Sequence, residues 1–385
     1  PRQQRVMNDL EKALKDELDR LAEESLTRTL EPGVGLDFTS NDYLGISTAP
    51  GFRERISTLM ENQALSAPAS RLLRGTHPAH LDLEKKLAEF KGTEAALIFP
   101  TGYQANLGLL SALLEPEDRV LSDELNHASI IDGLRLSGAQ KCIYPHLDIA
   151  RIEEELSRPH PGGRTFIVTE SYFSMDGDIA PLGDYAGLAE KYSASLVVDD
   201  AHATGLFGDV RGSGLAEKFG VESSCAAIVS TFGKALGSFG AFVAGSRVLI
   251  DWLINRSRPF IFSTATPPLL LAMMEAGIDL CGDPGARTRL HSLAARLRNT
   301  LSAGGIDCSA SRGPIVPVII GSNEAALEAA QKLQDEDYDV RAIRPPTVAP
   351  GTSRLRISVH ADHCEDDIDR LGAAVLRILT QEKAR

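Results

Sequence analysis

The feature that most constrains this chain is a succession of short apolar runs, rich in β-branched residues, separated by segments of helical length. The runs fall at Ala95–Phe99, Arg119–Ser122, Thr165–Thr169, Ser195–Val198, Ala226–Ser230 and Ala241–Ala244. Such runs read as strands, and spacings such as Leu81, Leu83, Leu87 and Phe90 read as intervening helix. Alternating strands and helices imply an α/β layered domain with a largely parallel sheet. Near-continuous apolar strands fit a sheet covered on both faces. Ligands of such sheets bind beyond the carboxyl ends of the strands, so the residues following each run are where chemistry is sought.

The flanks read differently. An amphipathic helix is expected over Asn8–Thr27, a break at Pro32-Gly33, and a turn-rich lead-in from Asp37 to Gly45. A long helical stretch from Pro267 to Leu301 precedes strand-like Val316–Ile320, Tyr338–Ile343 and Arg354–Val359, with helices at Glu324–Asp335 and Cys364–Thr380. The expected division is an N-terminal helix and arm (1–45), a large α/β domain (46–275) and a small C-terminal α+β domain (276–385). A chain of 385 residues, 43% hydrophobic, is long enough for both cores.

No charge-free apolar stretch reaches the roughly 18 residues a membrane-spanning helix needs. The charged segment Pro1–Glu24 reads as helix rather than signal peptide, and the initial proline suggests a missing methionine or short leader. A net charge of −13 argues against general affinity for nucleic acid or anionic membranes. It leaves room for a local basic pocket. Cys142, Cys225, Cys281, Cys308 and Cys364 form no CxxC pair or zinc spacing, so reduced, mostly buried thiols, a cytoplasmic location and no metal are expected.

Three polar clusters fall at strand ends. Thr101-Gly102-Tyr103-Gln104-Ala105-Asn106 opens a helix, where backbone N–H groups and the dipole favour a phosphate. An ordinary helix cap is the other reading. Asp199-Asp200-Ala201-His202 places two carboxylates at the end of a buried strand, where each needs a partner. A cationic ring nitrogen, a metal or an arginine would serve, and helix-capping aspartates with a surface histidine are the alternative. Thr231-Phe232-Gly233-Lys234 sets a lysine between glycines just past an apolar strand. Desolvation there lowers a lysine's proton affinity and frees it as a nucleophile, although a plain surface lysine is the default. A phosphate anchor, a carboxylate for a pyridinium nitrogen and a lysine for an aldehyde together match one molecule, pyridoxal 5'-phosphate.

With those residues in view, the sequence resembles the α-oxoamine synthases, a branch of the fold type I pyridoxal-phosphate transferases with an aspartate aminotransferase-like architecture. The resemblance runs from about Asp37 to Leu371 and rests on five strings. They are Ser40-Asn41-Asp42-Tyr43-Leu44-Gly45, Asn126-His127-Ala128-Ser129, Ser174-Met175-Asp176-Gly177-Asp178, Asp199-Asp200-Ala201-His202 and Thr231-Phe232-Gly233-Lys234. The resemblance implies an acyltransferase that condenses an amino acid with an acyl-coenzyme A, releasing carbon dioxide and free coenzyme A. Ile343-Arg344-Pro345-Pro346-Thr347-Val348 is similar to the branch joining L-alanine to pimeloyl-CoA or a pimeloyl-carrier protein in biotin biosynthesis.

The resemblance also implies roles. Lys234 forms the Schiff base, is displaced by the amino acid and then shuttles its α-proton. Asp199 pairs with the pyridinium nitrogen, His202 bonds the ring hydroxyl and His127 stacks on the ring. Alone, His127 would read as a helix-start residue and Ser174-Met175-Asp176-Gly177 as a turn. Gly102, Tyr103 and Ser174 border the cofactor, and Thr231 contacts its phosphate. The family forms homodimers, so Ser263 and Thr264 are expected to reach the other subunit's phosphate. Arg344 clamps the substrate carboxylate with Thr347 nearby, and Asn41 lies near the bound substrate. Arg28 matches an N-terminal substrate arginine, with an exposed helix charge as the alternative. The segment Ser66–Thr76 departs from the family's glycine-rich pattern, and Arg71 or Arg74 there would meet an acidic acyl tail or remain solvated. Competing readings are a sibling synthase using glycine or serine with another acyl-CoA, an aminotransferase, a silent partner subunit and, lacking GxGxxG, a dinucleotide binder.

Overall fold

The apolar runs pair into one seven-stranded sheet whose spatial order differs from their order in the chain. A computed structural model describes residues 8–61 and 63–383; the start of the chain at Pro1, read above as charged helix, lies outside the described residues. The strands are β1 (Ala95–Phe99), β2 (Arg119–Asp123), β3 (Gln140–Tyr144), β4 (Thr165–Glu170), β5 (Ser195–Asp199), β6 (Cys225–Thr231) and β7 (Ala241–Gly245). Their order is β1-β7-β6-β5-β4-β2-β3. Pairings from β6 through β3 are parallel, whereas β7 is antiparallel to both β6 and β1. The reason is chain length. The link from Thr231 to Ala241 is a short hairpin, and a parallel crossover needs a dozen or more residues.

Six of the seven strands fall where the apolar runs predicted them. The seventh, β3, was not foreseen, because Gln140, Lys141 and Ile143 are exposed at the sheet edge and leave no apolar run to detect. Ala95, Leu97 and Phe99 share one sheet face with Phe166, Val168, Ala227, Val229, Ala241 and Val243. This face packs with Ala105, Leu109, Ile130 and Leu134 of helices Gly102–Leu113 and Ala128–Ser137. In the helix Pro78–Lys91, Leu83, Leu87 and Phe90 face inward with His80, Glu84 and Lys91. Leu81 is exposed, one helical position out of phase with that stripe.

This larger unit comprises Asn41–Ser292 and His360–Asp362; the smaller comprises the residues up to Ser40, Leu293–Val359 and the residues from His363 on. In the smaller unit, β8 (Ile315–Gly321), β9 (Arg341–Ile343) and β10 (Ser353–Ser358) form an antiparallel sheet in the order β9-β10-β8. The predicted strand Tyr338–Ile343 is divided. Tyr338-Asp339 pairs with Leu36-Asp37, while Arg341–Ile343 joins the sheet. The N-terminal helix runs Asp9–Glu23, opened by a capping box between Asn8 and Glu11. It stops short of the expected Thr27 because Ser25 turns into the left-handed region, at φ 54°. The stretch from Pro267 is two helices, Pro268–Cys281 and Pro284–Ala303, the second restarted by a proline in its first turn.

The five cysteines are free, but only Cys281 and Cys308 are buried; Cys142 and Cys225 are half-buried and Cys364 is exposed. Among the described residues no helix is long and apolar enough to cross a membrane.

Candidate active site

Glu170, Asp199 and Thr231 are the last residues of three adjacent strands, β4, β5 and β6. Their loops bring the predicted residues of the larger unit to one end of the sheet. Lys234 sits in the β6–β7 hairpin, which is closed by Phe232 N–H to Gly240 O (2.9 Å), Ser238 N–H to Phe232 O (2.9 Å) and Gly237 N–H to Lys234 O (2.8 Å). Gly237 has φ +60°, and a Cβ there would lie 2.6 Å from the Ser47 nitrogen, so only glycine closes this turn. Lys234 is half-buried, and its charge is felt by both His127 and Glu170.

Asp199 anchors the centre. Its Oδ1 accepts from Ala201 N–H (2.9 Å) and its Oδ2 from Asn106 Nδ2 (2.6 Å). Asn106 Nδ2 also donates to Ser129 Oγ (2.9 Å), which lies 2.8 Å from His127 Nδ1. Ser129 N–H donates to the same nitrogen (3.2 Å). His127 Nδ1 is therefore an acceptor, and the ring is the neutral tautomer with its proton on Nε2. Burial lowers the affinity of His127 for a second proton, Asp199 opposes this, and Lys234 adds to it. Asn106 was noted only as part of a phosphate cluster, and no one-dimensional signal links it to Asp199.

His202 joins a second chain: Tyr43 Oη lies 2.9 Å from His202 Nδ1 and donates to Asn41 Oδ1 (3.0 Å). With the tyrosine proton on Asn41, His202 donates from Nδ1 and keeps Nε2 as an acceptor, suited to a ring hydroxyl. Tyr103 is partly exposed, and its ring meets that of His127 edge-on at 6.5 Å. Its hydroxyl bonds Asp132. Thr101 caps the helix Gly102–Leu113 through Gln104 N–H (3.2 Å), so the ordinary capping reading holds. Capping still leaves the first-turn N–H groups of Gly102 and Tyr103 at the helix mouth. Ser174 lies in a turn bridged by Tyr172 and Ile179. The Thr231 hydroxyl donates to Gly240 O (2.8 Å), so a phosphate contact there requires that bond to be exchanged.

The second aspartate of the pair has an unpredicted partner. Asp200 is fully buried and pairs with the equally buried Lys91 (2.9 Å), while Ser171 Oγ (2.6 Å) and Leu215 N–H (3.1 Å) donate to its other oxygen. Lys91 also donates to Thr204 Oγ1 (2.9 Å) and to the Ser213 carbonyl. Asp199 and Asp200, adjacent in sequence, therefore divide between the ligand end and the interior.

Thr264 is exposed and bridges Ser70 in the larger unit. Arg71, offered above for an acyl tail or as a solvated charge, is neither. It forms a buried bidentate pair with Glu84 (2.9 and 3.1 Å), so the divergent segment is internally strutted there. Arg74 is exposed. Arg28, Arg344 and Thr347 belong to the smaller unit. Arg344 donates to the carbonyls of Ser25 and Thr27 (3.1 Å for the latter), and Arg28 to the Pro345 carbonyl (3.1 Å). Burial and the neighbouring Arg28 cation both lower the proton affinity of Arg344. Arg28 lies beyond the helix end, so it is not a helix charge.

His146 was not singled out from the sequence. Its Nδ1 meets Asp123 (2.9 Å) and its Nε2 meets Asp178 (2.6 Å), tying the end of β2 to the segments after β3 and β4. Burial opposes its charge, but the two carboxylates prevail and raise its pKa from 6.5 to about 10. A raised folded-state value stabilises the fold fully below about pH 6.5, and that contribution is lost as pH rises toward 10. Denaturant unfolding of wild type and His146→Gln should show a stability gap that is widest near neutral pH and narrows in alkali. A gap independent of pH would refute the imidazolium assignment.

A cavity of about 990 Å³ lies at the opposite strand ends, lined in part by Arg164, Phe166, Ser195, Trp252 and Asn255. None of the predicted site residues lines it. The clustered residues fit pyridoxal phosphate on chemical grounds. Asp199 offers a carboxylate to a ring cation, the helix mouth at Gly102 faces an anion, and Lys234 offers an amine to an aldehyde. Glu170 Oε1, a buried oxygen at the same strand ends, has no hydrogen-bond partner.

The family model for aminotransferase class I and II matches residues 34–375. An 8-amino-7-oxononanoate synthase of Geobacter sulfurreducens is 43% identical over 383 residues, covering 95% of this chain and 98% of that protein. Among solved structures, SPT with PLP superposes with a TM-score of 0.88 at 29% identity, covering 97% of this chain and 98% of that one. An 8-amino-7-oxononanoate synthase of Francisella tularensis superposes with a TM-score of 0.79 at 27% identity, covering 91% and 99%.

Proposed function

This chain belongs to the aminotransferase class I and II family, and from that premise we propose that it condenses L-alanine with a pimeloyl thioester. The products are 8-amino-7-oxononanoate, carbon dioxide and the free thiol, with the acyl donor on coenzyme A or a carrier protein. The observation that carries this reading is the 43% identity, sustained over 95% of the chain, to a relative of that name. The cofactor is pyridoxal phosphate, which when bound supplies an electron sink for a carbanion at the α-carbon of the amino acid.

The residues of the chain do the rest. Asp199, held by Asn106 and Ala201, presents its carboxyl group to the ring nitrogen and favours its protonated form. Lys234 removes the α-proton of alanine at Nζ and later returns it to the product. His127 presents a neutral imidazole face, and His202 offers Nε2 to the ring hydroxyl. The first-turn N–H groups of the helix at Gly102 bind the phosphate. Arg344, supported by Thr347, binds the substrate carboxylate, and Arg28 is a second cation for an acidic substrate group. Burial and the nearby Arg28 cation disfavour the charge on Arg344, and a bound anion would relieve that. Asn41 orients substrate through the Tyr43 chain.

We assign the working form as a homodimer to which Thr264 contributes across the interface. The exposed Leu72, Leu73 and Phe262, and the exposed Leu10, Leu14 and Leu18 along the N-terminal helix, support it as apolar surface in need of cover. Likeness in shape to SPT, serine palmitoyltransferase, favours one alternative, a sibling enzyme using L-serine with a longer acyl chain. Thiol release with pimeloyl-CoA and L-alanine, set beside glycine with acetyl-CoA and L-serine with palmitoyl-CoA, decides between them. Alanine-dependent release with the pimeloyl donor alone is expected. Release with a control pair alone would move the protein to a sibling reaction.

A further inference from the structure

Arg287 is a buried cation without a counter-ion. It lies in the first turn of the helix Pro284–Ala303 and is only 7% exposed. A guanidinium keeps its charge at any ordinary pH, and a buried charge is costly unless it is paired. Among the described residues Arg287 nevertheless has no ion pair, and its one hydrogen bond runs from Nη1 to the Cys281 carbonyl (2.7 Å). The Nε and Nη2 groups form the edge of a guanidinium that grips an oxyanion in two parallel bonds. Here they find no protein acceptor among the described residues, and neither is sealed from solvent. Gly212 lies against the group: its φ is +68°, and a Cβ there would lie 2.5 Å from Nη1. The guanidinium is thus held in place with its binding edge unused.

Arg287 lines a cavity of about 240 Å³ in the larger unit, together with Phe207, Asp209, Lys218 and His291. Lys218 is exposed and has no ion pair among the described residues; its Nζ lies 5.2 Å from the centre of the Phe207 ring. That ring lies 5.1 Å from the His291 ring, whose Nε2 is 2.9 Å from the Leu206 carbonyl oxygen. Asp209, the one acid of the lining, is exposed and pairs with neither cation. Two unpaired cations in one cavity stand against a net charge of −13 for the whole chain. We infer that this cavity binds the phosphate group of a small molecule, at a site separate from the cofactor's. A tetrahedral oxyanion suits the pair: the Arg287 fork takes two oxygens and leaves a third for Lys218, whose ammonium sits on a flexible stem. A planar carboxylate offers two oxygens to both cations. The inference goes beyond the reaction proposed above and does not depend on it.

The test is calorimetric titration of inorganic phosphate, at constant ionic strength, into the full chain. The protein is first loaded with pyridoxal phosphate, so that the cofactor's own phosphate pocket is filled. Wild type should bind a single phosphate. Lys218→Gln, at an exposed position, should weaken binding about tenfold, the worth of one charge-assisted hydrogen bond. Arg287→Gln should abolish it. Lys141→Gln removes the same charge from the exposed edge strand β3 and should stay within about twofold of wild type. Succinate should bind more weakly than phosphate. No phosphate binding by wild type, equal losses in Lys218→Gln and Lys141→Gln, or a preference for succinate overturns the inference. None of these positions belongs to the cofactor site, so the visible band and the alanine-dependent thiol release of Lys218→Gln should match wild type. Failure of the titration therefore leaves the proposed reaction standing. If Arg287→Gln fails to fold, the comparison of Lys218→Gln with Lys141→Gln still decides.

Discussion

Replacing Lys234 by alanine is expected to lower thiol release with pimeloyl-CoA and L-alanine by about three orders of magnitude or more. A positioned proton-transfer group is worth about 10²–10⁴-fold, and this lysine also supplies the covalent anchor. Lys234→Arg should be nearly as poor. It keeps the positive charge felt by His127 and Glu170 but cannot act as nucleophile or base near neutral pH. The comparison separates charge from chemistry. If arginine restored most of the rate, Lys234 would be an electrostatic element only. Turnover of the alanine variant at the native rate would sink the assignment. The visible spectrum of each variant with added pyridoxal phosphate gives a readout independent of substrate choice.

Lys91→Met should destabilise the fold by about 3–5 kcal/mol, the usual cost of stranding one member of a buried ion pair. Methionine roughly fills the space of the lysine stem but leaves Asp200 without its counter-ion in a region sealed from water. The double change Lys91→Met with Asp200→Asn removes the stranded charge and should recover a good part of the loss. Gly214 limits the repair. Its φ is +134° and a Cβ would fall 1.8 Å from Asp200 Oδ2, so the pocket around that side chain is closed. Denaturant unfolding measures both variants. A loss below about 1 kcal/mol for the single variant would mean that Asp200 takes up a proton or finds another donor. Turnover per folded molecule should change little, because Lys91 lies on the structural side of the aspartate pair.

The contrast between those two lysines shows what was legible in the sequence. Lys234 stood out because glycines, a strand end and a distant aspartate formed a pattern readable along the chain. Lys91 did not. It closes an unremarkable helix, and its partner is 109 residues away. The same division holds elsewhere. Covered strands showed as apolar runs, whereas β3 at the edge did not, since half-exposed strands need no continuous apolar sequence. Asp199 was legible as a candidate, but Asn106, Ser129 and Glu170, which fix its surroundings, depend on contacts between strand ends. Arg71 was misjudged for the same reason. Its fate was set by Glu84, thirteen residues on, and neither side chain reveals its burial in one dimension.

The reversed direction of β7 has a consequence for how the protein can vary. Parallel neighbours in the sheet are joined by long excursions over its surface, and such connections absorb inserted residues at small entropic cost. The hairpin carrying Lys234 has no such slack. Both its ends are fixed by the ladder at Thr231 and Ala241, and internal bonds at Phe232, Lys234 and Ser238 fix its path. One added residue would displace the amine or break a strand pairing, and either error falls where the tolerance is narrowest. Insertion scanning should therefore find a sharp forbidden zone between Thr231 and Ala241, beside crossovers that accept lengthening.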